Sequence, residues 1–148
     1  MRIRVDKAKV KTKKKTLSNY KDEVWKVFSE YIRKRDCLLT TGSLQYGECI
    51  TCDETKPFNQ LQAGHFIAGR HNGNLFSERG VHAQCESCNR FHGGRPLEYR
   101  RQIIKLYGEG VDEELEAEAR QIIKFTIGQL EALKLNLKQK IKKLEEAE

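Results

Sequence analysis

Between Ser18 and about Asp36 the apolar residues Tyr20, Val24, Val27, Phe28, Tyr31 and Ile32 recur at intervals of three and four. That spacing keeps one helical face apolar, and it predicts an amphipathic helix over residues 17–36 that covers a core. Between Cys52 and Cys88 the helical period disappears. Leu61 to Ile67 and Val81 to Gln84 read as short strands, and Asn72-Gly73 reads as a hairpin-type turn. Gly93-Gly94 then interrupts the chain. Pro96 suits a first helical position, and a helix through Ile103, Ile104 and Leu106 ends at Gly108. The segment 111–148 opens with Asp112, Glu113, Glu114 and Glu116 and closes with Lys138, Lys140, Lys142 and Lys143. Acid at the start and base at the end complement a helix dipole, so one long helix is expected, with Gly128 as its bend. Its stripe of Leu130, Leu133, Leu137, Ile141 and Leu144 needs a partner, either the first helix or a second subunit in a homodimeric coiled coil.

Composition narrows the class. With 148 residues, 38% hydrophobic and 33% charged, the chain supports one domain with appendages and a modest apolar core, which a metal staple would help to fold. No run approaches the ~18 apolar residues of a membrane span, and the basic start lacks the apolar block of a secretory signal, so a cytoplasmic protein is expected. The net charge of +7 is uneven. Residues 1–16 hold eight Lys or Arg, Lys13, Lys14 and Lys15 among them, against Asp6 alone. Such a segment buries too little to order itself and reads as a flexible basic arm that a polyanion attracts; nucleic acid is the expected partner.

The cysteines carry the first chemistry. Cys49-x-x-Cys52 and Cys85-x-x-Cys88 each offer two thiolates from a knuckle, together a tetrahedral four-cysteine site suited to zinc; Cys37 is left over. A closed four-thiolate site has no open position, so that zinc is structural and catalysis must arise elsewhere. The insert between the pairs is longer than the ~15–20 residues of an ordinary zinc ribbon. It contains His65, and Asn89 follows the fourth cysteine. Neutral His65 suits proton abstraction from water, and the Asn89 carbonyl oxygen suits a hard ion such as magnesium or manganese. Residues 37–110 therefore read as an α+β, zinc-bound core, flanked by the helices at 17–36 and 111–148. From His65 to Lys105 seven basic residues, including Arg70, Arg79, Arg90 and Arg95, face three acids and suit a phosphate backbone.

The run Cys49-Ile50-Thr51-Cys52, then QAGHF around His65, FSERGVHAQCESCN through Asn89, and GGRPLEYR resembles the phage NinG, or Rap, recombination family, a branch of the HNH or ββα-metal nucleases. The resemblance implies a ββα-metal core and a metal-dependent endonuclease for branched DNA such as Holliday junctions and D-loops. It implies His65 as the general base, Asn89 as a metal ligand and the four cysteines as zinc ligands. Arg79 and His82 also fall on motif positions, and His82 would ligate the metal, touch the scissile phosphate or pack. Two positions depart from the pattern. Gly80 stands where the family has Asn, with Asn72 or Asn74 as candidate substitutes, and Gly64 stands where the wider class has an acid beside the base. A DNA-binding or adaptor protein without catalysis is the alternative.

Overall fold

The computed structural model describes residues 14–148. Lys13 and the rest of the arm before it lie outside them. Helix α1 spans Leu17–Thr41. Thr16 caps it reciprocally with Asn19: the Thr16 hydroxyl accepts from the Asn19 amide at 3.2 Å, and Asn19 Oδ1 accepts from the Thr16 amide at 2.9 Å. The helix runs about a turn past the end that its apolar period suggested. It stops at Gly42, whose φ of 77° is costly for other residues and whose amide donates to Leu38 O. Val24, Phe28 and Ile32 are buried as expected, and the same four-residue step continues into buried Asp36.

Two antiparallel ribbons follow. Strands β1 (Tyr46–Glu48) and β2 (Thr55–Pro57) form one ribbon, and the first cysteine pair occupies its turn. Strands β3 (Leu61–His65) and β4 (Val81–Cys85) form the second, in register from Leu61 opposite Cys85 to His65 opposite Val81. The strands match the sequence expectation closely. Asn72-Gly73, however, is not a tight hairpin turn. Residues 66–80 form a long connection, and neither Asn72 nor Gly73 adopts the positive φ that such a turn requires. After β4 a wide π-helical turn, Ser87–Phe91, leads into α2 (Pro96–Tyr107), which Gly108 ends as expected.

The C-terminal segment is two helices, not one. Helix α3 covers Val111–Ala119 and α4 covers Ile127–Ala147. The break lies at residues 120–126 and not at Gly128, which falls in the first turn of α4, where amides lack intrahelical partners in any case. A second capping box starts α4: the Thr126 hydroxyl accepts from the Gln129 amide at 3.1 Å, and Gln129 Oε1 accepts from Thr126 N at 3.0 Å. The β-branched Ile122, Ile123 and Thr126 weaken helix propensity through this stretch.

Helix α4 folds back along α1. Its buried Leu130 and Leu137 join Val24, Phe28, Ile32, Ala63 and Val81 in the main core, so the C-terminal stripe finds its partner within the chain. Ion pairs Lys34–Glu145 and Lys134–Glu23 cross the same interface. A second core, Phe66, Tyr99, Ile103, Val111 and Leu115, lies beneath α2 and α3. Among the described residues no helix is long and apolar enough to cross a membrane.

Candidate functional site

The two knuckles meet at the ends of the ribbons. Asp53, at φ 61°, turns the first back on itself, with Asp53 N donating to Cys49 O and Cys49 N donating to Glu54 O, each at 2.9 Å. Ile50 N donates to Ala83 O at 3.0 Å and ties that knuckle to β4, which delivers Cys85 and Cys88. The ligand atoms of Cys49, Cys52, Cys85 and Cys88 all lie within 4.8 Å of one another, a cluster able to hold a metal ion such as zinc. Burial raises thiol pKa values, yet hydrogen bonds from the Thr51 hydroxyl and nearby backbone amides bring Cys49 down to about 7. Arg95, expected from sequence to contact the phosphate backbone, here donates its Nε to Cys88 Sγ at 3.2 Å. Cys37 takes no part. It is buried against Leu61 and Ala83, and burial pushes its thiol up to about 11.

His65 ends β3 and stacks on Trp25 of α1, ring centroids 5.1 Å apart and planes 14° from parallel. Its Nε2 lies 3.2 Å from Leu75 O. A carbonyl only accepts, so Nε2 carries the proton and, in the neutral ring, Nδ1 keeps a free lone pair. Burial dominates its titration and lowers the pKa below the ordinary 6.5; the bond to Leu75 opposes this and the charge of Arg70 adds to it. The loop that offers Leu75 is braced by Asn74, whose Nδ2 donates to Ile67 O at 3.0 Å. Of the two candidate substitutes for the absent asparagine, Asn74 is therefore the one that ties the loop behind His65. Gly80 closes the base of the same loop: its carbonyl accepts from Phe66 N at 2.8 Å and its amide donates to Ser77 Oγ at 3.2 Å.

Asn89 lies in the π-helical turn, and its Nδ2 donates to Gln62 Oε1 at 2.8 Å. Side chains alternate along a strand, so Gln62 and His65 point to opposite faces of β3. The structure thus brings Asn89 to the ribbon, on the face away from His65 and Trp25. Gly64 explains itself here. A Cβ at that position would overlap Gln84 Oε1 and come within 3.0 Å of Asn89 Oδ1, so two carboxamide oxygens occupy the space of an acidic side chain. Gln84 is fully buried; its Nε2 donates to Thr51 Oγ1 and Gly94 O, while its Oε1 has no partner.

His82 is 5% exposed and enclosed between α1 and α2. Its Nδ1 donates to Asp36 Oδ2 at 3.0 Å, and its Nε2 lies 2.9 Å from the Tyr107 hydroxyl. Of the three roles considered for His82, packing within a polar network is the one this placement favours. Asp36 also accepts from Ala83 N at 2.7 Å and from Arg35 Nε at 2.8 Å. Burial alone would raise the Asp36 carboxyl, but the bond and charge of His82 and the charge of Arg35 hold it below the usual range. A depressed carboxylate stabilises the fold above its unfolded value of about 3.9, and that contribution is lost as pH falls through the folded value. Asp36→Ala is expected to cost about 3 kcal/mol at pH 7, less in acid, by urea denaturation at both pH values. Equal stability of variant and wild type at pH 7 would contradict this. Asp36, Trp25, Gln84 and Tyr107 were not found from sequence; the only signal was that Asp36 extends the Val24, Phe28, Ile32 step.

The other basic candidates have acidic neighbours. Arg79 pairs with Glu114 at 2.9 Å, Arg90 with Glu86 at 3.2 Å, Arg70 with Asp22 at 3.8 Å and Lys15 with Glu23 at 2.7 Å. These pairs involve exposed or half-exposed side chains, are worth little in water, and leave the cations free to exchange partners for phosphate. Lys14 is exposed at the foot of α1.

Comparison with known proteins gives one consistent set. The family described as "Bacteriophage Lambda NinG protein" matches residues 2–148. The chain is similar to protein ninG of Escherichia phage lambda, 30% identical over 141 residues that cover 94% of this chain and 64% of the relative. It is similar also to protein ninG of Salmonella phage P22, 29% identical over 144 residues, 96% of this chain and 66% of the relative. The chain thus spans about two thirds of the length of these relatives. No solved structure matches it.

Proposed function

From the premise that this chain belongs to the NinG family of bacteriophage proteins, we propose that it is a metal-dependent endonuclease of the HNH type that cuts branched DNA, such as Holliday junctions and D-loops, during phage recombination. The observation that carries the reading is His65. A general base for water needs a neutral ring with one unprotonated nitrogen and a fixed orientation. Stacking on Trp25 orients the imidazole, the Leu75 carbonyl claims Nε2, and burial keeps the ring neutral near physiological pH. Nδ1 is left to take a proton from water.

Structural zinc in the four-cysteine cluster holds the second knuckle, and with it Asn89, against β3. Asn89 Oδ1, the donor expected to hold a magnesium or manganese ion, lies beside the buried Gln84 Oε1 on the ribbon face opposite His65. An ion held there and the His65 base do not meet on one phosphate, so the ligands of an ion that works with His65 have to come from the His65 face. When bound, the ion would offset negative charge on the phosphate. Arg70, Arg79 and Arg90, with Lys14, Lys15 and the arm before them, would grip the backbone and position it without reading sequence.

The alternative, a zinc-knuckle DNA-binding or adaptor protein without catalysis, draws on Gly64 and Gly80, which stand where the wider class has an acid and an asparagine. One experiment separates the two. Zinc-loaded protein is incubated with a labelled four-way junction and a linear duplex, with and without magnesium or manganese. Metal-dependent nicking of the junction is the expected result. Junction binding without nicking in either metal would leave only the adaptor.

A further inference from the structure

Asn72-Gly73 plays no part in the pairing of β3 and β4. The two residues hold the linker between α3 and α4 instead. Asn72 Nδ2 donates to Ile123 O at 2.8 Å, and Lys21 Nζ donates to Asn72 Oδ1 at 2.7 Å from the other side. Gly73 lies flush against the end of α3 and the linker: a Cβ there would overlap Glu118 O and stand 2.9 Å from Gln121 O. The backbone on both sides of Ile122 is thereby held, and Ile122 itself is 93% exposed. Lone apolar residues on a surface are ordinary. One whose flanking backbone is held by a buried glycine and a bridging asparagine is a different matter: it keeps a fixed outward position while Phe125 of the same linker packs on the main core.

The surroundings say what it meets. Ile122 borders a groove of about 980 Å³ lined also by Ile67, Arg70, His71 and Arg120. The acid in that lining, Glu116, is bonded to Arg100 at 2.8 Å, so the groove favours an anion. The segment that grips the linker continues directly into Asn74 and Leu75, which brace and orient His65. Successive residues reach at most about 3.6 Å each, so the clamp and the contact to His65 stand within roughly 11 Å along the chain.

We propose that Ile122 is a wedge that enters the open base stack at the branch of a DNA junction, with Arg70 and Arg120 on the flanking phosphates. The inference rests on reading the chain as a protein of branched DNA and adds the residue that selects the branch. Apolar wedges enter a base step at a cost of a few kcal/mol in lost stacking. At a branch the stack is already interrupted, so that cost falls, and a fixed wedge favours a junction over a duplex.

The test uses the zinc-loaded chain without magnesium or manganese, so that nothing is cut. The probes are a four-way junction with 2-aminopurine beside the branch and the matching linear duplex. Binding of the wild type is expected to raise the junction fluorescence. Ile122→Ser should remove the rise and lower the junction-over-duplex preference by about tenfold, with duplex affinity unchanged, while Ile122→Leu keeps both. If Ile122→Ser keeps the rise and the preference, the wedge is refuted and the branched-DNA reading stands. If the wild type binds neither DNA, both fall together.

Discussion

Cys85→Ser, or removal of metal by a chelator, is expected to abolish the folded state of residues 37–110. Apparent binding of structural zinc by small cysteine domains amounts to roughly 10 kcal/mol or more, comparable with the whole stability of a domain of this size, about 5–15 kcal/mol. The ribbon of β1 and β2 is three residues long on each side. Thr40 and Thr41 of α1 bond β1, and Ile50 N and the Thr51 hydroxyl tie its turn to Ala83 and Gln84 of β4, so these short ties and the cluster share the work of holding the two knuckles together. Without metal, four thiols confined within 4.8 Å of one another lose their reason to converge. Circular dichroism during a chelator titration, with released zinc measured in parallel, should show loss of structure in step with loss of metal. A melting curve unchanged in protein shown to be free of zinc would refute the structural role. Cys37→Ser, which removes the cysteine outside the cluster, should release no zinc.

The second large effect is at His65. On the nuclease reading His65→Ala is expected to lower the nicking rate by about 10²–10⁴-fold, the usual contribution of a positioned general base, while junction affinity without metal stays near that of the wild type. A direction in pH follows. The working form is neutral and the pKa is lowered by burial, so the rate should rise through a pKa below 6.5 and be level by neutral pH. Trp25→Ala exposes the ring and should move that limb towards higher pH as well as reducing the rate. His65→Ala that cuts as well as the wild type, with its melting curve intact, would remove His65 from the role of base. A limb well above 6.5 would contradict the burial assigned to it.

Beside these effects the arginines illustrate a limit of reading charge along a chain. Arg95 and Arg79 look alike in a list of basic residues, yet one donates to the sulfur of Cys88 in the cluster and the other forms an exposed pair with Glu114. Which cations are spent depends on partners distant in sequence. The same holds for Gly64. From sequence it is the absence of an acid beside the base; in the fold it is the space that Gln84 and Asn89 fill from two other elements. His82 moves furthest: its Asp36 partner is 46 residues away, and only the packing of α1 on β4 brings them together.

Local features were legible in the sequence because they are set by neighbours within a few residues. The period of Val24, Phe28 and Ile32 places the buried face of α1, Pro96 and Gly108 bound α2, and paired C-x-x-C spacing specifies a thiolate cluster. The two strands beside His65 were found from their short apolar runs. Charge order over 111–148 was not enough to fix one helix, because the Thr126 capping box and the β-branched linker compete locally with the dipole pattern. The tertiary structure alone decided that α4 covers α1, that Asn72-Gly73 clamps the linker beside Ile122, that Asn74 braces the loop of Leu75, and that His65 and Asn89 occupy opposite faces of one ribbon. Each is a contact whose energy is realised only once distant segments have been brought together, and chain entropy hides such contacts from any local pattern.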